Sequence, residues 1–198
     1  LGLTGESAGL MPQRRYWGQL DRATFAFGYG LMVTPLQLAH VYATIGSYGI
    51  ERPLSITRID PPVMGTRVMP EQIVHEVEHM MESVALPGGG GTKAAVRDYR
   101  VAVKTGTAKK IGPDGKYIDK YVAYTAGVAP ASNPKFALVV VMNDPSNGSY
   151  YGGAVSAPVF SQIMGDVLRL ENVMPDGMPE GSENLIVMHH DGVLPPAL

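Results

Sequence analysis

Val101-Ala102-Val103-Lys104-Thr105-Gly106-Thr107-Ala108 is the stretch on which the reading of this chain turns. It opens as a strand, because Tyr99, Val101 and Val103 alternate with Arg100, Ala102 and Lys104 at period two. A cation, two hydroxyls and a glycine then follow in consecutive positions. Side chains alternate across a strand, so Thr105 and Thr107 share one face and Lys104 and Gly106 the other. A glycine inside a strand marks a place where another backbone comes close. Two hydroxyls beside an ammonium, next to open backbone, make a holder for a carboxylate. The ligand expected here is extended and negatively charged. Alone, Lys-Thr-Gly is a weak signal, since composition would produce it in roughly a few per cent of chains this long. Its place at the end of an apolar strand, ahead of two further strands and an amphipathic helix, favours the functional reading.

Downstream, Gly112-Pro113-Asp114-Gly115 is strong turn chemistry. It predicts a second strand over about 119–129, and a Pro130-to-Pro134 connection leads to Phe136–Met142. That continuous apolar run predicts a strand buried on both faces. Short connections make the three strands an antiparallel meander. A helix over about 156–170 then turns Val159, Phe160, Ile163, Met164, Val167 and Leu168 to one side, toward the sheet.

Upstream, residues 1–30 are rich in glycine and polar residues and are expected to be irregular. Thr34, Pro35 and Gln37 form a capping box with proline in the first helical turn, opening a mostly apolar and therefore buried helix that ends near Gly46 to Gly49. Residues 53–70 are proline-rich and read as an extended connection. A second helix over about 71–85 carries a stripe of Ile73, Val74, Val77, Met80, Met81 and Val84, with Glu71, His75, Glu78, His79 and Glu82 opposite. Gly88–Gly91 lacks the Gly-Lys-Ser/Thr ending of a phosphate loop and reads as a flexible turn. Two units are expected, 1–170 and a loose tail, 171–198, in which His189-His190-Asp191 reads as a polar segment.

Composition narrows the classes. The 198 residues carry a net charge of −2 with 17% charged residues, so no polybasic surface advertises nucleic acid. Hydrophobic residues at 45% argue against disorder, and no run of 18 apolar residues is long enough to span a membrane. Cysteine is absent, which removes disulfides, thiolate metal sites and a Cys nucleophile. The chain starts at Leu1 without Met, and a piece of something longer is expected. His75-Glu76-Val77-Glu78-His79 formally matches the zinc-hydrolase pattern H-E-x-x-H, with Glu76 able to activate a metal-bound water. No convincing third ligand follows, and Glu82 stands where a metzincin needs glycine. A solvated face with His–Glu contacts is the better account, so no metal or other cofactor is expected.

Lys104-Thr105-Gly106-Thr107, followed by two strands and a helix, resembles the last catalytic motif of penicillin-binding transpeptidases and serine β-lactamases. Three further stretches resemble the class B high-molecular-weight penicillin-binding proteins, and among them the septal enzymes of Gram-negative bacteria. They are Gly28–Ala39, Tyr124–Pro130 and Gly152–Phe160. The resemblance covers about residues 1–170. It implies an α/β (α+β) transpeptidase fold, an antiparallel sheet flanked by helices, of which this chain is the C-terminal portion. It implies a serine acyl transfer on the D-Ala–D-Ala end of peptidoglycan stem peptides, with β-lactams acylating the same serine. It further implies Lys104 and Thr107 as catalytic residues, the latter giving a backbone N–H to the oxyanion. Thr105, Gly106 and Thr107 would bind the substrate, with Tyr121, Tyr150 and Tyr151 along the cleft. The implied partners are the stem peptide, β-lactams, the remaining N-terminal part of the domain and proteins of the division machinery, with the catalytic domain in the periplasm and an anchor in the inner membrane. The family also needs Ser-x-x-Lys and Ser-x-Asn before the Lys-Thr-Gly strand. Ser132–Lys135 and Ser182-Glu183-Asn184 fit formally but come after it, which inverts the order, and both read as accidents. The nucleophile is expected on a preceding segment. A zinc hydrolase built on His75, Glu76 and His79, or a non-catalytic domain that binds peptides by strand addition, are the other readings.

Overall fold

The computed structural model describes residues 1, 4–13, 15–146 and 148–177. In chain order the elements are α1 (Gln19–Phe25), α2 (Pro35–Gly46), β1 (Ile50–Glu51), β2 (Thr66–Arg67) and α3 (Glu71–Glu82). A 3-10 turn (Thr92–Ala94), β3 (Ala102–Ile111), β4 (Tyr117–Ala129), β5 (Phe136–Asn143), α4 (Gly152–Val155) and α5 (Ala157–Leu170) follow. The main sheet is the antiparallel meander β3-β4-β5, with Thr105 opposite Thr125 and Thr125 opposite Val140. Within the described residues β3 is an edge strand, with helices on both faces of the sheet. This is the α+β arrangement expected from the sequence.

The period-two alternation of β3 sorts its side chains between two cores. Val101 and Val103 join Val140 under α5, whose Phe160, Met164 and Leu168 are the largest fully buried apolar side chains. Ala102 faces the other way with Ala126 and Val128, against Tyr42 of α2 and Met81 of α3. The capping box at the start of α2 is present: Thr34 Oγ1 accepts from the Gln37 N–H at 3.1 Å and Gln37 Oε1 accepts from the Thr34 N–H at 2.9 Å. Thr34→Ala removes one half of that exchange and is expected to cost about 1 kcal/mol, read as a lower denaturation midpoint with an unchanged m-value.

Three expectations need correction. Residues 1–30 are not wholly irregular, since Gln19–Phe25 is helical, with Asp21 Oδ2 accepting from the Gly18 N–H at 3.2 Å. β5 is only partly buried: Phe136, Leu138, Val140 and Met142 pack on one core and Ala137 and Val139 on the other, but Val140 alone is buried outright and Val141 is 37% exposed. The buried stripe of α3 is Val74, Glu78 and Met81 rather than the full apolar set; Ile73 and Met80 are exposed.

Glu78 is thus a carboxylate on the packed face of α3, only 4% exposed. Its Oε2 lies 3.7 Å from His75 Nδ1, and its Oε1 has no hydrogen-bond partner among the described residues. Burial, reinforced by the nearby Glu82 charge, pushes its pKa from 4.5 up to about 7. The folded state therefore holds a proton that the unfolded chain has released. The contribution of this carboxyl to stability is full below about pH 4.5 and is lost as pH rises toward 7. Glu78→Gln is expected to flatten that slope and to raise stability near neutral pH, as thermal melts between acid and neutral pH would show.

Candidate active site

β3 leaves the core at Lys104. Ala102 and Val103 are fully buried, Lys104 is exposed, and Thr105 to Ala108 are half-buried. The strand thus runs from the packed interior into an open groove of about 370 Å³. Thr105, Gly106 and Thr107 form its floor, Gly90, Thr92 and Lys93 one lip, and Tyr151 to Ala154 the other. Lys104 Nζ donates to the Thr105 carbonyl at 2.7 Å, which holds the ammonium against the strand it comes from.

Thr107 is fixed from the far side of the groove. Its Oγ1 accepts from the Gly152 N–H at 3.1 Å, which leaves the hydroxyl proton for a ligand. Gly152 can come that close because it has no side chain: a Cβ there would lie 2.6 Å from the carbonyl oxygens of both Gly106 and Tyr124. This is the close backbone approach that a glycine in the strand suggested. Gly106 has a second reason, since the Tyr124 ring fills the space its own Cβ would take. Beneath α4 lies a buried hydroxyl chain. Thr125 Oγ1 donates to Ser156 Oγ at 2.8 Å, and Ser156 Oγ donates to the Gly152 carbonyl at 2.9 Å. Both residues are 0% exposed, so each hydroxyl needs its partner.

The three tyrosines stand in a row. Tyr121 stacks on Tyr150 at 4.0 Å with the rings 10° apart, and Tyr150 meets Tyr151 at 4.5 Å. Their hydroxyls at 150 and 151 are 3.3 Å apart, a contact that raises the pKa of Tyr151. Tyr151 lines the groove; Tyr150 and Tyr121 extend the row behind it, and the Lys109 ammonium lies 5.8 Å from the Tyr121 ring centre. Lys109 is also paired with Asp119 at 2.9 Å.

Other sequence candidates lie elsewhere. Ser132 is in the turn between β4 and β5, where its N–H donates to Asp176 Oδ2 at 3.0 Å, beside Arg100 rather than Thr107. Ser182-Glu183-Asn184 and His189-His190-Asp191 lie outside the described residues. His75 and His79 each sit near glutamates, at 3.7 to 3.9 Å, and the His75 ring also packs on Tyr48. Among the described residues, no group of three or more metal-ligating side chains converges. Sequence reasoning placed Tyr151 along the cleft but missed the rest of its lip, Gly152 to Ala154, and the whole of the lip opposite, Gly90, Thr92 and Lys93. The run Gly88–Gly91 read as a turn, yet the backbone of Gly90 and Gly91 abuts Gly153 and Thr105. Its signal was composition: adjacent glycines on two separate loops serve a place where backbones meet.

The family model for the penicillin-binding protein transpeptidase domain matches residues 1–165. The chain belongs to that family. Peptidoglycan D,D-transpeptidase FtsI of Escherichia coli (strain K12) is 70% identical over 189 residues, which make up 96% of this chain and 32% of that protein. The protein of the same description from Buchnera aphidicola subsp. Schizaphis graminum is 58% identical over 178 residues, 90% of this chain and 31% of the relative. Among solved structures, the apo TP domain of Burkholderia pseudomallei penicillin-binding protein 3 matches with a TM-score of 0.83 at 40% identity, covering 90% of this chain and 54% of that one. The chain spans about a third of the length of the curated relatives it matches. Family and fold thus agree with the resemblance read from Lys104–Thr107, and the zinc-hydrolase reading of α3 has nothing further to support it.

Proposed function

We propose that this chain carries the carboxylate-holding half of a serine peptidoglycan D,D-transpeptidase whose nucleophile lies on a preceding segment. The observation that carries the reading is a single one. Thr105 and Thr107 share one face of an edge strand where it opens into a groove, and Thr107 is oriented there by Gly152. A stem peptide ending in D-Ala–D-Ala adds antiparallel to the β3 edge, exchanging main-chain hydrogen bonds with it. The Thr105 and Thr107 hydroxyls hold the terminal carboxylate, and Lys104 supplies charge beside it. As the serine attacks the penultimate carbonyl, the Thr107 backbone N–H is one of two donors to the developing oxyanion. Such a donor typically contributes about 2.7–4 kcal/mol to the transition state. D-Ala leaves, and the acyl group passes to an amine on a neighbouring strand. A β-lactam presents the same carboxylate and acylates the same serine. Tyr121, Tyr150 and Tyr151 form the apolar wall.

On the resemblance to septal enzymes carried by Gly28–Ala39, Tyr124–Pro130 and Gly152–Phe160, the intact protein is assigned to the division septum, working with other division proteins. Its catalytic domain faces the periplasm and its anchor is in the inner membrane. Among the described residues no helix is long and apolar enough to cross a membrane. Residues 1–170 belong to the transpeptidase unit and 171–198 form its tail. Intact mass after incubation with benzylpenicillin tests the reading. The complete domain should gain one covalent adduct, mapped by peptide analysis to a serine outside this chain. An adduct on this chain alone would contradict the assignment, and a complete domain that never acylates would favour a non-catalytic peptide-binding role.

A further inference from the structure

The groove over Thr105 and Thr107 has one charged side chain in its lining, and it is not Lys104. Lys104 belongs to the opposite face of β3, where its ammonium donates to the Thr105 carbonyl at 2.7 Å. The charge on the groove's own side is Lys93, on the lip built by the 3-10 turn Thr92–Ala94. Successive side chains of such a turn point about 120° apart. Ala94 is fully buried in the core under α5, so Lys93 is turned outward and is exposed. The turn is pinned beside the strand. The Gly91 N–H donates to the Val84 carbonyl at 3.0 Å and the Ala94 N–H to the Gly91 carbonyl at 2.8 Å, and a Cβ on Gly91 would lie 3.1 Å from Thr105 Cγ2. Lys93 thus starts two residues from a backbone that abuts Thr105, a gap its four-carbon stem covers. Lysines on the sheet are already committed, Lys109 to Asp119 at 2.9 Å, Lys120 to Asp144 at 2.8 Å and Lys110 to Asn143 at 3.1 Å. Among the described residues Lys93 has no ion-pair or hydrogen-bond partner, and the groove lining holds no acidic side chain.

We infer that Lys93 is a second cation for the terminal carboxylate of the substrate, drawing it into the groove and holding it at the Thr105 end. The inference rests on the proposed peptide-binding mode and deepens it. The two threonine hydroxyls are neutral donors, and Lys104 acts from the other face of the strand. A carboxylate that gives up water for this groove needs a countercharge on its own side, and Lys93 is the one the lining offers. The whole chain carries a net charge of −2, so the attraction of an anionic substrate has to be local rather than a property of the overall field. An exposed ammonium on a flexible stem works at the strength of a surface ion pair, and salt screens it.

The test uses the complete transpeptidase domain, wild type and with Lys93→Gln or Lys93→Arg, and two probes. Benzylpenicillin carries a single carboxylate; carbenicillin carries a second one on its acyl side chain. The second-order rate constant of acylation is measured with each at about 0.1 M and about 1 M salt, between which the screening length falls from about 10 to about 3 Å. At the lower salt Lys93→Gln should slow both probes by the same factor, about three- to fivefold, the upper range for an exposed ion pair. At the higher salt that difference should disappear, and Lys93→Arg should track the wild type throughout. A glutamine variant as fast as the wild type at low salt would overturn the inference. So would a loss that survives high salt and is shared by the arginine variant, because the lysine would then shape the lip rather than supply charge. A loss confined to carbenicillin would assign Lys93 to a different anion and overturn it as well. A wild type that acylates but ignores the charge at position 93 sinks this role alone. A wild type that does not acylate sinks the function on which it rests.

Discussion

Replacing Gly152 by alanine is expected to cost about 3 kcal/mol of folding stability, at the upper end of overpacking changes, and to slow acylation of the complete enzyme at least tenfold. The added Cβ would stand 2.6 Å from the Gly106 and Tyr124 carbonyl oxygens and 3.2 Å from the Gly106 nitrogen. All three are backbone atoms inside a paired sheet, so no rotamer change relieves the contact. The turn of α4 has to lift, and with it go the Gly152 N–H that orients Thr107 and the carbonyl that accepts from Ser156. Structure and chemistry fail together because one residue serves both. Gly90 is the matched control on the opposite lip. Its missing Cβ meets nothing within 4 Å and its φ is not positive, so Gly90→Ala should leave melting and acylation near wild type. Equal effects at both glycines would contradict the close packing of α4 on the strand.

Thr107→Val separates the hydroxyl from the backbone. The two side chains have similar shape, and the Thr107 N–H assigned to the oxyanion is untouched. What is lost is a hydrogen bond to a charged carboxylate, worth about 1.5–3 kcal/mol. Acylation by a carboxylate-bearing β-lactam should therefore fall by roughly 10- to 100-fold. Loss of the acceptor for the Gly152 N–H should lower stability by about 1 kcal/mol. Thr107→Ser restores the hydroxyl and should recover most of the rate. Unchanged acylation kinetics in the valine variant would remove Thr107 from its assigned role.

Local chemistry was the legible part of this fold. The Thr34–Gln37 capping box and the Gly112–Gly115 turn depend on residues near in sequence and formed where their patterns placed them. The alternation through Tyr99, Val101 and Val103, by contrast, predicted a strand over about 98–108, and the strand starts at Ala102 and runs to Ile111. The meander followed from short connections alone. What could not be read was which surface an element would meet. The stripe on α3 offered six apolar positions, but the packed face of the helix buries Val74, Glu78 and Met81, a carboxyl group among them, and leaves Ile73 and Met80 exposed. The groove had the same limit. Lys104, Thr105 and Thr107 announced themselves by residue type, whereas Thr125 and Ser156 matter only through partners distant in sequence. Periodicity says nothing about those. The short α1 escaped because a seven-residue helix has too few turns to show a period.

The most direct test is a crystal structure of the complete transpeptidase domain acylated by benzylpenicillin. The predicted result places the drug's carboxylate within about 3.2 Å of the Thr105 and Thr107 hydroxyls, its amide paired to the free edge of β3, and its acyl oxygen at the Thr107 N–H. A covalent adduct whose carboxylate points away from both threonines, or one held clear of the β3 edge, would contradict it.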